Sequence, residues 1–395
     1  MSPYRRFKFP WRSGNHFTTL VDSVTFFPRM LDAIETAEHY ILLEMYLVSS
    51  GQVADRFIAA IRTAAARGVQ VYLLFDDFGA QGLSPADREQ LQHTNIATEY
   101  YNPLHSHSIL SNLYRIYWQH TTHGLYRNHR KLLLVDGKLA FAGGAGINDA
   151  VDSPGAAQLQ WRETMIEIRG PVLGDWQRLF TESWNASTRQ PLTLPSVPVP
   201  ANTAATGQRG RVTVNEARRR MGIQRSLLKR IKRAEHRIWF ATAYFIPSWT
   251  LRRRLKHAAK RGVDVRLLLP GPVTDHPGAR YASRRYYERL LNSGLRIYEY
   301  TPRFFHAKTV LCDDWVSIGS CNFDRWNLQW NLEANQEIDD SAMAEDVAEL
   351  FRADFSNSVE HLPEEWARRG RYQRILEWLW QRVERLSLKI RHRRR

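Results

Sequence analysis

The sequence predicts an α/β protein made of two similar halves, each with a buried, mostly parallel sheet flanked by helices. Three observations predict it. A strand–helix–strand pattern occurs twice, a Pro-rich stretch divides the copies, and one histidine–lysine–aspartate spacing follows in each half. A chain of 395 residues is long enough for two ordinary cores, and 43% hydrophobic with 24% charged residues excludes a disordered chain.

Residues 37–76 begin "AEHYILLEMYL" and end "AAARGVQVYLLFD"; residues 234–270 begin "AEHRIWFATAYF" and end "AAKRGVDVRLLLP". Each copy runs from an apolar strand into an amphipathic helix, around Val53–Arg67 and Thr250–Arg261, and then into a second apolar strand. Gly68 and Gly262 suit the left-handed position after a helix end. Copies this far apart mean two halves, not a solenoid, whose periods are much shorter. Between them "STRQPLTLPSVPVPANTAATGQRG" reads as a stiff, extended linker. The expected organisation is a first half over 1–186, a linker over 187–210, a second half over 211–360 and a tail over 361–395.

The recurring motif is "HRKLLLVD" at 129–136 and "HAKTVLCD" at 306–313. Strand alternation puts His129 with Lys131, and His306 with Lys308, on one face. If the halves pack about a pseudo-two-fold axis, the four side chains meet at the interface. Two imidazoles and two ammonium groups suit a phosphodiester: lysines attract the non-bridging oxygens, and imidazole serves as nucleophile or general acid. No metal or other cofactor is needed, since lysine, Asn and Ser donors can stabilise the transition-state charge. The candidate catalytic set is His129, Lys131, Asp136, His306, Lys308 and Asp313. Within it Asp136 and Asp313, beyond the hydrophobic run, are expected to hold local structure. A Gly-small pair follows each copy, Gly143-Gly144 and Gly319-Ser320, and Asn322 completes "GSCN".

The doubled motif, "GSCN" and the Pro-rich divide resemble the phospholipase D superfamily. "NHRKLLLVDGKLAFAGG" and "GSCNFDRWNLQWNLEANQEI" look most like bacterial cardiolipin synthases, especially the type lacking N-terminal transmembrane helices. The resemblance covers about residues 13–355. It implies two phospholipase D-like α-β-α sandwich halves with the active site at their interface. It also implies exchange through a phosphohistidine, with His129 as nucleophile and His306 as acid/base by family precedent; near-symmetry allows the reverse. Lys131 and Lys308 would clamp phosphate oxygens, assisted by Ser320 and Asn322. Glu333 and Glu163, at corresponding places, look like the carboxylates that orient the histidines. The first copy reads "GGAGIN", with Gly146 where the second has Asn322. Either the loop bulges to bring Asn148 to the phosphate, or this half lacks the amide.

The net charge of +16 calls for an anionic partner. Thirteen Trp tilt the choice from nucleic acid toward a membrane surface, since Trp favours the lipid–water boundary. No apolar run long enough to span a bilayer and no signal-peptide pattern is found, and the two cysteines make no disulfide framework. A peripheral enzyme on the cytoplasmic face of the cell membrane is the expectation, with phosphatidylglycerol or a related phospholipid as substrate. Hydrolysis, exchange with small alcohols, or a nuclease on the same fold are the alternatives. Residues 104–128 have no counterpart in the second half. Their apolar and aromatic run from Leu113 to Trp118 suits a lid, a lipid-entry surface or an ordinary packed helix. His105, His107, His120 and His123 have no carboxylate or Cys beside them to make a metal site. In the tail, Tyr372, Leu376, Leu379, Val383, Leu386 and Ile390 form a stripe among arginines, suited to an anionic leaflet or to packing on the protein.

Overall fold

A computed structural model describes residues 8–103, 126–152, 160–188, 190–197, 207–216, 220–324, 330–370 and 380. The four histidines and the Leu113–Trp118 run of the insert lie outside the described residues, as does the tail stripe from Tyr372 to Ile390.

The first half contains β1 (Arg12–Val21), α1 (Ser23–Glu35), β2 (Tyr40–Met45), α2 (Gln52–Ala66), β3 (Gln70–Asp76), α3 (Pro85–Gln90) and β4 (Ile96–Tyr101). It continues through β5 (Arg127–Asn128), β6 (Lys131–Val135), β7 (Leu139–Gly143), β8 (Thr164–Arg169) and α4 (Leu173–Ser187). The second half repeats the plan with β9 (Gln208–Glu216), β10 (Arg220–Met221), α5 (Gly222–Arg233), β11 (Arg237–Ala241), α6 (Trp249–Lys260) and β12 (Asp264–Pro270). It is completed by α7 (Pro277–Arg284), α8 (Tyr287–Leu291), β13 (Arg296–Tyr300), β14 (Thr309–Cys312), β15 (Trp315–Gly319), β16 (Asn331–Asp339), α9 (Ser341–Ser356), β17 (Ser358–His361) and α10 (Pro363–Ala367).

Both repeat helices form where the apolar spacing puts them, and Gly68 and Gly262 follow with φ of +98° and +89°. The sheets are mixed, which corrects the expectation of mostly parallel ones. Only β2, β3 and β4, and their counterparts β11, β12 and β13, run parallel within a half. The motif strands β6 and β14 enter antiparallel to β2 and β11, and tight hairpins carry them into β7 and β15. A two- or three-residue turn cannot make a parallel crossover, so antiparallel pairing is forced there. The strand order β4-β3-β2-β6-β7-β8-β1 is mirrored by β13-β12-β11-β14-β15-β16-β9, and β1 pairs with β9 to join the halves. The β17 strand adds an edge beside β13.

Burial follows this plan in three clusters. One lies on the outer side of the first sheet, with Phe26 and Phe57 from α1 and α2; another on that of the second, with Leu227 and Leu255 from α5 and α6. The third is shared. Leu132 and Leu134 of β6, Leu311 of β14, Trp176 of α4 and Phe351 of α9 all belong to it. Trp176 Nε1 donates to Gln336 Oε1 at 2.9 Å, so even the polar group of this core is satisfied across the halves.

The hairpin turns explain the aspartates of the motif. Asp136 and Asp313 have φ of +53° and +50°, the left-handed region that Asp tolerates better than most residues. From there Asp136 accepts the backbone N–H groups of Glu38, His39 and Tyr40 at 2.8–2.9 Å. Asp313 accepts those of Glu235, His236 and Arg237 at 2.9–3.0 Å. Each carboxylate thus pins the start of the central strand to the end of the motif strand. These bonds hold Asp313 below the ordinary carboxylate range although burial opposes them. Asp136→Ala is expected to lower unfolding free energy by about 3 kcal/mol, since it strands N–H donors and puts Ala at a positive φ. Asp136→Asn, which tolerates that φ, should lose less. Urea titration of the two variants checks both.

Candidate active site

The segment before each motif histidine pairs with the opposite half. β5 lies parallel to the start of β16, Asn128 opposite Leu332, and His129 N donates to Leu332 O at 3.0 Å. In the other direction Phe305 bridges Arg162, and His306 N donates to Arg162 O at 2.9 Å. Leu332 precedes Glu333 as Arg162 precedes Glu163, so the same short parallel bridge is made twice.

These bridges bring each histidine to a carboxylate of the other half. His129 Nδ1 lies 2.9 Å from Glu333 Oε1 and 3.0 Å from Oε2. His306 Nδ1 lies 2.5 Å from Glu163 Oε2. Both carboxylates are fully buried. Ser320 Oγ donates to Glu333 Oε2, while Thr164 N donates to Glu163 Oε1 at 2.9 Å. With Nδ1 engaged, Nε2 of each ring is the nitrogen left for chemistry. Aromatic rings confine both imidazoles: Tyr46 is 4.7 Å from His129, and Trp161 is 4.5 Å from His306, centroid to centroid.

The lysines reach the same place. Lys131 Nζ donates to His129 O at 2.7 Å and lies 5.1 Å from the Tyr46 ring centre. Lys308 Nζ contacts the His306 carbonyl, lies over the His306 ring 2.8 Å from Nδ1 and 3.0 Å from Nε2, and is 3.6 Å from Glu163 Oε2. The alternation argument therefore places each lysine beside its own histidine, although His129 itself stands just before β6 begins.

Burial sets the protonation. It pushes Lys131 down to about 7, with Glu333 pulling upward and the charge of Lys308 pushing further down. It pushes His306 down to about 4, with Lys308 adding to the effect and Glu163 opposing it. His129 is lowered for the same first reason, against Glu333. Burial alone would raise Glu163, but Lys308 and His306 hold it below the ordinary value. That Lys131 feels Lys308 and both glutamates shows one shared electrostatic cluster drawn from both halves.

The Gly-small loops differ between halves. In the second, Ser320 Oγ donates to Glu333 Oε2 and accepts Ala334 N at 3.1 Å. Asn322 is buried and its Oδ1 has no partner among the described residues, an amide left for a ligand to complete. In the first half Gly144 replaces the serine, and a Cβ there would come 2.5 Å from Glu163 Oε2. Asn148 is buried too, and its Oδ1 accepts Val151 N at 3.0 Å to turn its own loop. Asp136 and Asp313 sit at the far ends of β6 and β14, engaged as described above.

Four residues not singled out from sequence support the site. Asp76, buried at the end of β3, accepts Asn128 N at 2.8 Å and stands 3.6 Å from Arg127; burial raises it to about 6. Arg162 makes a two-pronged pair with Asp354 of α9 at 2.7 and 2.9 Å, clamping the Glu163 segment to the second half. Tyr46 and Trp161 flank the rings. The signal for Trp161 and Arg162 was their position just ahead of Glu163, as Asn331 and Leu332 stand ahead of Glu333. Among the described residues there is no His, Cys, Asp and Glu cluster able to hold a metal ion.

His306 also links the site to stability. Its folded value of about 4 lies below the unfolded value near 6.5, so the unfolded chain binds the proton first. Its contribution is therefore present above about pH 6.5 and lost as pH falls toward about 4. Unfolding free energy of His306→Gln should fall less steeply than that of the parent across this window, as read by denaturant titrations over a pH series.

A family model described as "Cardiolipin synthase, PLD-like domain" matches residues 30–184 and 227–355. The chain is 30% identical over 381 residues to cardiolipin synthase A of Pseudomonas aeruginosa, covering 95% of this chain and 74% of that protein. It is 30% identical over 382 residues to cardiolipin synthase A of Pseudomonas entomophila, covering 96% and 76%. Among solved structures, phosphatidylserine synthase of Haemophilus influenzae superposes with a TM-score of 0.71 at 13% identity, covering 96% of each chain. Polyphosphate kinase of Porphyromonas gingivalis superposes at 0.52 with 14% identity, covering 85% of this chain and 50% of that one.

Proposed function

The chain belongs to the phospholipase D-like family of cardiolipin synthases, and from that premise we propose that it is a phosphatidyltransferase working through a phosphohistidine. It moves a phosphatidyl group from one phospholipid to the hydroxyl of phosphatidylglycerol. The observation that carries this reading is the reciprocal pairing of His129 with Glu333 and His306 with Glu163 beside two buried lysines.

In the first step His129 Nε2 bonds to phosphorus as the bond to the departing alcohol oxygen breaks, and His306 gives that oxygen a proton. In the second, His306 takes the proton of the incoming hydroxyl, whose oxygen bonds to phosphorus as the phosphorus–nitrogen bond breaks. The negative charge of the bound phosphodiester raises His306 from its free value, so it can carry that proton. Assigning the nucleophile to His129 follows the family resemblance, and Lys308, 2.8 and 3.0 Å from Nδ1 and Nε2 of His306, gives that ring a cationic neighbour suited to the acid/base role. Glu333 and Glu163 hold the tautomers, Lys131 and Lys308 receive the phosphate charge, and Asn322 adds an amide.

The division into halves at 1–186 and 211–360, with the joining segment 187–210 and the tail 361–395, is part of the same proposal. So is a peripheral position on the cytoplasmic membrane face; no helix among the described residues is long and apolar enough to cross a bilayer. Purified protein incubated with phosphatidylglycerol vesicles should release cardiolipin and glycerol. Phosphatidic acid as sole product would mean a hydrolase, and inert lipid with cleaved DNA would remove the lipid reading. His129→Ala and His306→Ala should each lower turnover by about 10⁴-fold or more, and Glu163→Gln and Glu333→Gln by roughly 10–100-fold. Near-parent turnover in either histidine variant would refute the shared site.

A further inference from the structure

The outer flank of the second half carries a cleft of about 250 Å³ that the reaction does not use, lined by Trp249, Arg252, Arg253, Lys256, His257 and Lys260 of α6 and by Tyr286 and Arg289. The α6 residues recur at intervals of three and four, so they form a single stripe along the helix. Its other face is apolar, with Leu251, Leu255 and Ala258 buried in the core.

The stripe is cationic without compensation. Arg252, Arg253, Lys256, Lys260 and Arg289 make no ion pair among the described residues, and the nearby Glu288 faces Arg369 at 3.5 Å. Like charges crowd instead: Arg252 is pushed below its ordinary value by burial and by Arg285 and Arg289. Self-repulsion of this kind destabilises the free protein and is relieved when an anionic surface arrives. Aromatic rings hold the guanidinium groups in place. Arg252 and Arg285 lie 4.3 Å from the Tyr286 ring centre, and Arg253 lies 5.1 Å from that of Trp249. Trp249 is 63% exposed, among the most exposed large apolar side chains described.

We propose that this α6 stripe is a docking site for anionic phospholipid headgroups at a bilayer surface, distinct from the catalytic pocket. A row of cations headed by an exposed Trp matches that surface: lysine and arginine meet the headgroup charge, and indole sits at headgroup depth. A loop over 242–248 joins the stripe to β11, whose last residue Ala241 pairs with Thr309 next to Lys308. Docking there holds one flank of the enzyme at the membrane, close to the strand ends that present Lys308 and His306. The inference deepens the lipid reading of the active site and rests on it for the choice of a bilayer over other polyanions.

The test compares the full chain with a triple variant, Arg253→Gln, Lys256→Gln and Lys260→Gln, and with Trp249→Ala. Co-sedimentation uses phosphatidylcholine vesicles with and without phosphatidylserine. Removing three charges, at about 1 kcal/mol each, should weaken binding to the anionic vesicles by roughly a hundred-fold, with the gap narrowing at high salt. Trp249→Ala should weaken it less and show less salt dependence. Turnover of detergent-dispersed phosphatidylglycerol should stay at the parent level in both, which also reports that the variants fold. Unchanged binding to anionic vesicles in the triple variant overturns the proposal. So does a loss confined to duplex DNA, which would assign the stripe to nucleic acid. If the parent makes no cardiolipin in detergent yet binds anionic vesicles through these residues, docking stands and the catalytic reading falls.

Discussion

The interaction on which the rest of the molecule depends is the exchange of carboxylates between halves. Each histidine is carried on one half and held by a glutamate of the other, and the backbone bridges of His129 to Leu332 and His306 to Arg162 make that exchange rigid. Burying two carboxylates, two imidazoles and two ammonium groups is costly unless every charge is compensated. Here it is compensated only when the halves are together. Glu333 without His129, or Glu163 without His306 and Lys308, would be a buried anion left to the Ser320 hydroxyl or the Thr164 N–H. The shared apolar core of β6, β14, α4 and α9 supplies the burial that holds the halves in register while the polar cluster fixes which residues face each other. Neither half is a complete site or a complete core.

Duplication sets up near-symmetry, and small departures break it where chemistry needs two different histidines. Glu333 receives a serine hydroxyl, whereas Glu163 receives a backbone N–H because Gly144 leaves no room for a side chain. Both lysines donate to the carbonyl of their own histidine, but Lys308 also stands against the ring of His306, whereas Lys131 stands over the Tyr46 ring. Asp76 braces the approach to His129 from β3; the matching strand end in the second half is Pro270. Two imidazoles in similar cages are thereby given different neighbours, the asymmetry that the proposed division into nucleophile and proton donor calls for.

Much of this was legible in the sequence, because local rules wrote it. The helix repeats with Gly68 and Gly262, the buried motif strands and the pairing of each lysine with its histidine follow from period and turn chemistry. The structural duty of Asp136 and Asp313 also showed, as a polar residue where a hydrophobic run stops. That the two motifs meet at the interface was also expected; what did not show is which residue of one half serves which residue of the other. The resemblance implied Glu163 and Glu333 as a matched pair but not that each serves the opposite histidine, since that follows from a bridge between residues far apart in the chain. The sheet's antiparallel side was missed for a related reason: the repeat contained only its parallel strands. The bonds of Ser320 to Glu333 and of Val151 N to Asn148 Oδ1 were equally out of reach of loop position alone.

The charge balance of the site then constrains where the rest of the positive charge acts. Lys131 and Lys308 face Glu163 and Glu333, so the pocket is close to neutral before substrate enters, and its histidines are uncharged. A phosphodiester arriving there brings a negative charge that shifts the balance, and the nearest group able to answer is Lys131, poised at about 7. In the proposed mechanism, protonation at that lysine or at His306 accompanies binding, so that the substrate's own charge gathers the proton for the leaving alcohol. The net +16 of the chain is thus not the catalytic pocket's charge. It lies on surfaces such as α6, where cations without acid partners are kept apart from the reacting groups. Charge that attracts an anionic surface and charge that stabilises one phosphate have opposite needs, exposure for the first and balanced burial for the second. The fold meets both by separating them.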